Sequence, residues 1–163
     1  MPRTNLVILE QDYERFIAML EQLCTNANAR FVFLLDKNGQ HIASSGDLVS
    51  VDPTALASLA AGSVAATEGL AGLVGDQEFS TLFHEGRSDS LHLSTVADKA
   101  ILVVSFDERS SLGLVRLRVS QATPALANVV TEVVRRSDAP RAEALAVTPL
   151  GDLTDADIDR LFG

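Results

Sequence analysis

Two short runs constrain this chain more than anything else in it. Phe31-Val-Phe-Leu-Leu35 and Ala100-Ile-Leu-Val-Val-Ser-Phe106 are apolar at almost every position. A strand with one wet face alternates; a run without alternation is expected where both faces are covered. The two runs therefore predict neighbouring strands at the centre of a sheet, with helices to cover it.

The rest of the chain supplies those helices. Leu9 to about Asn26 reads as an amphipathic helix, with Phe16, Ile17, Leu20, Leu23 and Cys24 on one face and Glu10, Asp12, Glu14 and Glu21 off it. Early acids suit a helix N-terminus. After Phe31–Leu35, the turn Asp36-Lys-Asn-Gly39 leads into a short strand from Gln40 to Ser44, paired back as a hairpin. His41 on that strand is expected to face solvent. Three more strands follow the middle of the chain: Phe79 to Glu85, Ser90 to Val96, and Ala100 to Phe106. The stretch SLGLVRLRV, Ser111 to Val119, fits a strand by its alternation and a helix by the spacing of Leu112, Val115, Val119 and Ala122. Its continuation to Arg136 is helical, with Leu126, Val129, Val130, Val133 and Val134 in a stripe, and Pro124 is expected to kink or restart it.

Between the hairpin and the third strand lies PTALASLAAGSVAATEGLAGLV, read as a helix from Pro53 to about Val74. Asp52 is placed to cap it, Pro53 fits the first position, and Gly72 or Gly75 ends it. Leu56, Leu59, Leu70 and Leu73 lie together on one side, which is the buried side if the helix's strip of small residues is a contact surface. Ser58, Gly62, Ala65 and Gly69 recur at spacings of four, three and four, which puts them on one strip. Gly62 and Gly69 each cost about 1 kcal/mol of helix propensity relative to Ala. Such a strip serves close packing inside the protomer or contact with another surface, and the spacing alone allows either.

Residues 137–151, SDAPRAEALAVTPLG, show no periodicity and carry two prolines, so a flexible linker is expected there. In the last segment, 152–163, Thr154 can cap, Asp155 and Asp157 fall in the first turn, and Ile158, Leu161 and Phe162 share a face. A helix this short does not hold alone in water. It docks on a partner or packs on its own domain.

At 163 residues the chain fits one main domain. Its net charge of −9 argues against nucleic acid and anionic membrane as partners. No apolar run is read as long enough for a membrane span, and the N-terminus shows no signal-peptide pattern. With the lone Cys24 excluding a disulfide framework, the expected location is the cytoplasm. Cys24 lies on the apolar face of its helix and reads as a small core residue.

Catalytic chemistry is missing. The sequence has no GxxxxGK[ST] loop, no GxGxxG after a strand, no CxxC and no HExxH. His84 and His92 fall on neighbouring strands, yet no third ligand is placed for a metal. The tail aspartates lack the glycine and terminal glutamate of a calcium loop. Ser110 and Ser111 have no base beside them. No cofactor or active site of its own is expected.

The order helix, two strands, helix, three strands, helix resembles the Roadblock/dynein light-chain family, an α/β, profilin-like sandwich. FVFLLDKNGQHIASSG, LASLAAGSVAATEGLAGLVGDQEFSTLFHEGRSDSLHLS, ILVVSFDERSSLGLVRLRV and the tail DADIDRLF are similar to its bacterial branch of GTPase regulators. The resemblance implies a five-stranded, mostly antiparallel sheet in residues 1–136 and a helix opening at SLGLVRLRV. It implies a homodimer, with long helices side by side and sheets joined edge to edge, that binds one Ras-like GTPase of the MglA type. GTP hydrolysis would be accelerated by moving the partner's switch regions, without an inserted arginine finger, and GTP and Mg²⁺ would belong to that partner. Ser58, Ala61, Gly62, Ala65 and Gly69 would form the GTPase-facing strip. Ile158, Leu161 and Phe162 would be a second contact that aids nucleotide exchange. Cell polarity or motility is the implied process, with the cell pole as a place of action. A scaffold that binds a GTPase or a polarity protein without changing hydrolysis is the alternative. A small-molecule sensor of related architecture needs a cavity with converging polar groups, and the sequence places none.

Overall fold

The computed structural model describes residues 6–75 and 81–147, the stretch 139–147 as backbone alone. The elements are α1 (Glu10–Asn26), β1 (Phe31–Asp36), β2 (His41–Gly46), α2 (Pro53–Leu73), β3 (Thr81–Glu85), β4 (Ser90–Val96), β5 (Ala100–Phe106) and α3 (Leu112–Val147). The order is the expected one. The strands form one sheet, β2-β1-β5-β4-β3, and every pairing is antiparallel.

Both apolar runs are buried throughout, and β5 lies at the centre of the sheet with β1 on one side of it. Phe31, Phe33, Leu35, Ile101, Val103 and Leu93 form one core with Ala57, Ala60 and Val64 of α2. The alternate residues Val32, Leu34, Leu102 and Val104 point to the opposite face and are equally buried. There α1 contributes Phe16, Leu20 and Leu23, and α3 contributes Val115, Val119, Leu126, Val129 and Val130, all buried. The two helices are neighbours, sharing a cleft between Met19 and Gln22 on α1 and Arg118 and Gln121 on α3.

Local chemistry fixes the ends. The Leu9 amide donates to Asp12 Oδ2 at 3.0 Å, which starts α1. Asp36 Oδ1 accepts from the amides of Asn38 (2.9 Å) and Gln40 (3.0 Å), closing the β1–β2 turn with Gly39 at φ +89°. Asp52 Oδ1 accepts from Thr54 and Ala55 at the start of α2, and Gly75 at φ +77° follows its end. The Ser111 hydroxyl oxygen accepts from the Leu114 amide at 3.2 Å and caps α3, which decides the ambiguous SLGLVRLRV in favour of helix. Ser110 has a structural role too, donating to the Ala27 carbonyl. Pro124 sits inside α3 without ending it. It cannot donate to the Ser120 carbonyl, and the Thr123 hydroxyl donates to the Val119 carbonyl beside it at 2.6 Å.

Three expectations need correction. The leucine side of α2 is not its buried side: Leu59, Leu70 and Leu73 are 71%, 57% and 84% exposed, and only Leu56 packs partly against the core. The seated residues are Ala57, Ala60, Val64 and Ala71, because the sheet face beneath already carries Phe31, Phe33, Leu35 and Ile101, and small side chains let the helix sit close. For the same reason α2 is apolar on both sides. By length and composition it is long and apolar enough to cross a membrane, with a mean hydropathy of 1.3, although the sequence reading found no such run. Finally, α3 continues to Val147, so residues 137–147, expected as linker, are helical. RAEALAV consists mostly of good helix formers, which a search for amphipathic periodicity does not register.

The described chain divides into two compact units. Leu9–Thr131 carries the sheet. In the other, which includes residues 6–8 and 132–147, the Val7 amide donates to Ser137 Oγ at 2.8 Å, and that hydroxyl donates to the Val133 carbonyl at 2.7 Å. Residues 76–80 and 148–163 lie outside the described residues, and with them the start expected for the third strand at Phe79 and the whole 152–163 segment.

Gly46 gives a direct test of the β1–β2 pairing. It holds φ +101°, and a Cβ there would overlap the Arg30 carbonyl and the Phe31 Cα. Gly46→Ala is expected to lower unfolding stability by more than about 1 kcal/mol in urea titrations.

Candidate functional site

The outward face of α2 is the first candidate. Leu59, Gly62, Ala66, Leu70 and Leu73 recur at helical spacing directly opposite the seated stripe, and all are exposed. Of the strip residues, Ser58, Gly62, Ala65 and Gly69 are exposed; Ala61 is half-buried and packs against the core. A Cβ added at Gly62 or Gly69 would meet nothing within 4 Å. These glycines therefore do not serve packing against any of the described residues. The single charged residue of α2, Glu68, is held to one side by Lys37, whose Nζ lies 2.7 Å from both Glu68 Oε1 and Asp98 Oδ1. What remains is an apolar, uncharged face more than 20 Å long at about 1.5 Å per residue.

The second candidate is the edge strand β3, paired among the described residues only with β4. Thr81, Phe83 and Glu85 are exposed, and Phe83 stacks on Phe106 of β5 with ring centroids 6.1 Å apart. A short edge of open amides and carbonyls is a template for another strand.

The third was not found from the sequence. It is a groove of about 470 Å³ between β4 and the first half of α3. His92 and Ser94 reach it from β4, Thr81 from β3, and Arg116 and Ser120 from α3. His92 is 2% exposed and Ser94 9%, yet His92 Nδ1 and Ser94 Oγ have no hydrogen-bond partner among the described residues. Burial, with the Arg116 charge second, holds the His92 imidazole below its ordinary pKa. The signal was available: in SLHLSTV, Leu91 and Leu93 alternate with His92 and Ser94, so a buried leucine face implies a polar face behind it.

His84 and His92, although on neighbouring strands, do not approach each other. His92 pairs with Phe83, and His84 pairs with Leu91, so the two histidines point to opposite faces of the sheet. Among the described residues no three metal-binding side chains come together. His41 stacks on Phe33 at 4.4 Å. Burial pushes the Cys24 thiol up, and it donates to the Ala29 carbonyl, in keeping with a packing role. Ile158, Leu161 and Phe162 lie outside the described residues.

An antiparallel five-stranded sheet with one long helix on one face and two on the other defines an α/β sandwich of the Roadblock type. The family model for the Roadblock/LC7 domain matches residues 17–106, and the chain belongs to that family. Among solved structures it is similar to MglB of Myxococcus xanthus, at 48% identity over 78% of this chain and 96% of that one, with a TM-score of 0.73. It is also similar to the gliding protein MglB of Thermus thermophilus, at 34% identity over 78% and 97%, TM-score 0.72. A third likeness is to an MglB with a tetrameric arrangement, at 33% identity over 79% and 97%, TM-score 0.73. No curated protein sequence matches.

Two outcomes follow. Gly62→Ala and Gly69→Ala should each stabilise the isolated chain by up to about 1 kcal/mol in thermal unfolding at low protein concentration, since α2 gains propensity without a clash. His92 should make stability depend on pH. Its folded pKa is depressed, so below about pH 6.5 the unfolded chain takes up a proton that the folded chain refuses. Stability should fall as the pH drops through and below that value, and His92→Gln should reduce the slope of unfolding free energy between about pH 7 and 5.

Proposed function

We propose that this chain is a GTPase-activating regulator of a small Ras-like GTPase of the MglA type, acting in bacterial cell polarity or motility. The observation that carries the reading is the outward face of α2. It is apolar, contains no Arg or Lys, and keeps two glycines at which an added Cβ would meet nothing among the described residues. The 48% identity to a protein named MglB supports the same assignment.

In this reading the chain works as a homodimer. Two β3 edges pair, the α2 helices lie side by side, and their combined outer surface takes one GTPase. Ser58, Ala61, Gly62, Ala65 and Gly69 form the contact strip, where missing side chains let the partner's backbone approach. Catalysis is preorganisation of another protein's site: the switch regions are moved until the GTPase's own groups reach the phosphate. A helix without a cation cannot supply an arginine finger, so shape must do the work. The chain would hold no nucleotide or metal itself, and would act in the cytoplasm, at the cell pole. The segment 152–163 would dock through Ile158, Leu161 and Phe162 at a second place on the GTPase and promote exchange, tethered by the residues that precede it.

The test is phosphate release from the cognate GTPase with GTP, at two regulator chains per GTPase. Acceleration supports the reading, binding without acceleration gives the scaffold alternative, and the absence of both overturns the reading and leaves only a scaffold for a polarity protein. Ala65→Arg with Gly69→Arg should abolish binding while the chain stays folded, because both positions point away from the core. In Gly62→Ala the gain in chain stability should be accompanied by at least severalfold weaker GTPase binding.

A further inference from the structure

We propose that the groove between β4 and the first half of α3 is a binding site for an oxyanion, a phosphate or carboxylate group carried on a small molecule. Its chemistry is one-sided. Among the described residues Arg116 is the only charged residue lining it, and no described Asp or Glu does so, in a chain whose net charge is −9. Donors converge there: the Arg116 guanidinium, the hydroxyls of Thr81, Ser94 and Ser120, and the imidazole of His92. Two of these are buried with polar atoms left over, His92 Nδ1 and Ser94 Oγ. Native chains leave few such atoms unpaired, and two on one strand face, aimed into one cleft, point to something that completes them.

The alternatives fit less well. A cation would meet Arg116 and find no carboxylate. An apolar ligand would leave both orphaned atoms unpaired. An anion is the ligand class that these donors match, and it would lie beside the Arg116 charge that His92 already feels. At about 470 Å³ the groove is within the usual size of small-molecule sites and larger than a bare phosphate, so the anion is taken as one group of its ligand. This site is on the opposite face of the sheet from α2, and the proposal stands independently of the GTPase reading.

The experiment is an NMR titration of the full-length protein, following the side-chain nitrogens of His92 and Arg116. Inorganic phosphate and acetate are added in separate arms, with chloride at matched ionic strength as reference. Saturable shifts with either oxyanion support the site, and the arm that saturates at lower concentration identifies the group. Arg116→Gln should weaken that binding about tenfold or more, whereas Arg118→Gln, which removes a side chain bonded to Gln121 away from the groove, should not. Arg116 is exposed, so its loss leaves the fold intact, which the amide spectrum verifies. Shifts that rise linearly as they do with chloride, or saturable shifts that survive Arg116→Gln, overturn the proposal.

Discussion

Burial of β5 on both faces is the constraint from which the rest follows. All seven of its residues are buried, and its neighbour β1 is buried throughout. A pair of strands like this is stable only when each face is covered by apolar surface. One face takes α2 and the other takes α1 with α3, so the three helices and the strand order follow from one requirement. The cover is unequal. A single helix of small residues seats on the Phe31, Phe33, Leu35 and Ile101 face, and that helix gives the core its Ala57, Ala60 and Val64 stripe, with Leu56 and Ala61 packed partly against it. Its leucines are thereby left outside, where a monomer gains nothing from them.

That inversion also explains where sequence reasoning succeeded and where it failed. Element order was legible because each signal was strong and local: unbroken apolar runs for β1 and β5, Asp52-Pro53 for the start of α2, Asn38-Gly39 for a turn. The helical reading of Ser111–Val119 came from family resemblance, while the physical reason was the Ser111 cap, a one-residue signal hidden in an alternating run. The buried face of α2 was misread because size was taken as a proxy for burial. Large residues go inside when the opposing surface has room; here the sheet supplies the bulk and the helix supplies the closeness. The linker was misread because a helix end built of Ala, Leu, Arg and Glu has propensity without amphipathic period.

Both candidate sites share a logic of missing partners. On α2 the missing thing is shape: glycines that cost helix stability and at which an added Cβ would touch nothing among the described residues. In the groove it is hydrogen bonding: an imidazole nitrogen and a hydroxyl buried without partners. Neither defect has a folding purpose in the described chain. Such departures from local consistency are where function is expected to lie, because folding alone would remove them.

Strand β4 binds the two sites into one design. Leu93 is part of the α2-side core and Leu91 packs against it, while His92 and Ser94 face the groove. Moving β4 by one residue against β5 would put His92 and Ser94 into the core and Leu91 and Leu93 into the groove, so the register is strongly held. The polar groups are therefore oriented by hydrophobic packing on the other side of the sheet, with no need of hydrogen bonds to hold them. A donor fixed in this way keeps its position when no ligand is present, and the ordering cost of binding has been met in advance by the core. The same leucines that close the α2 layer thus leave His92 and Ser94 both unpartnered and preorganised.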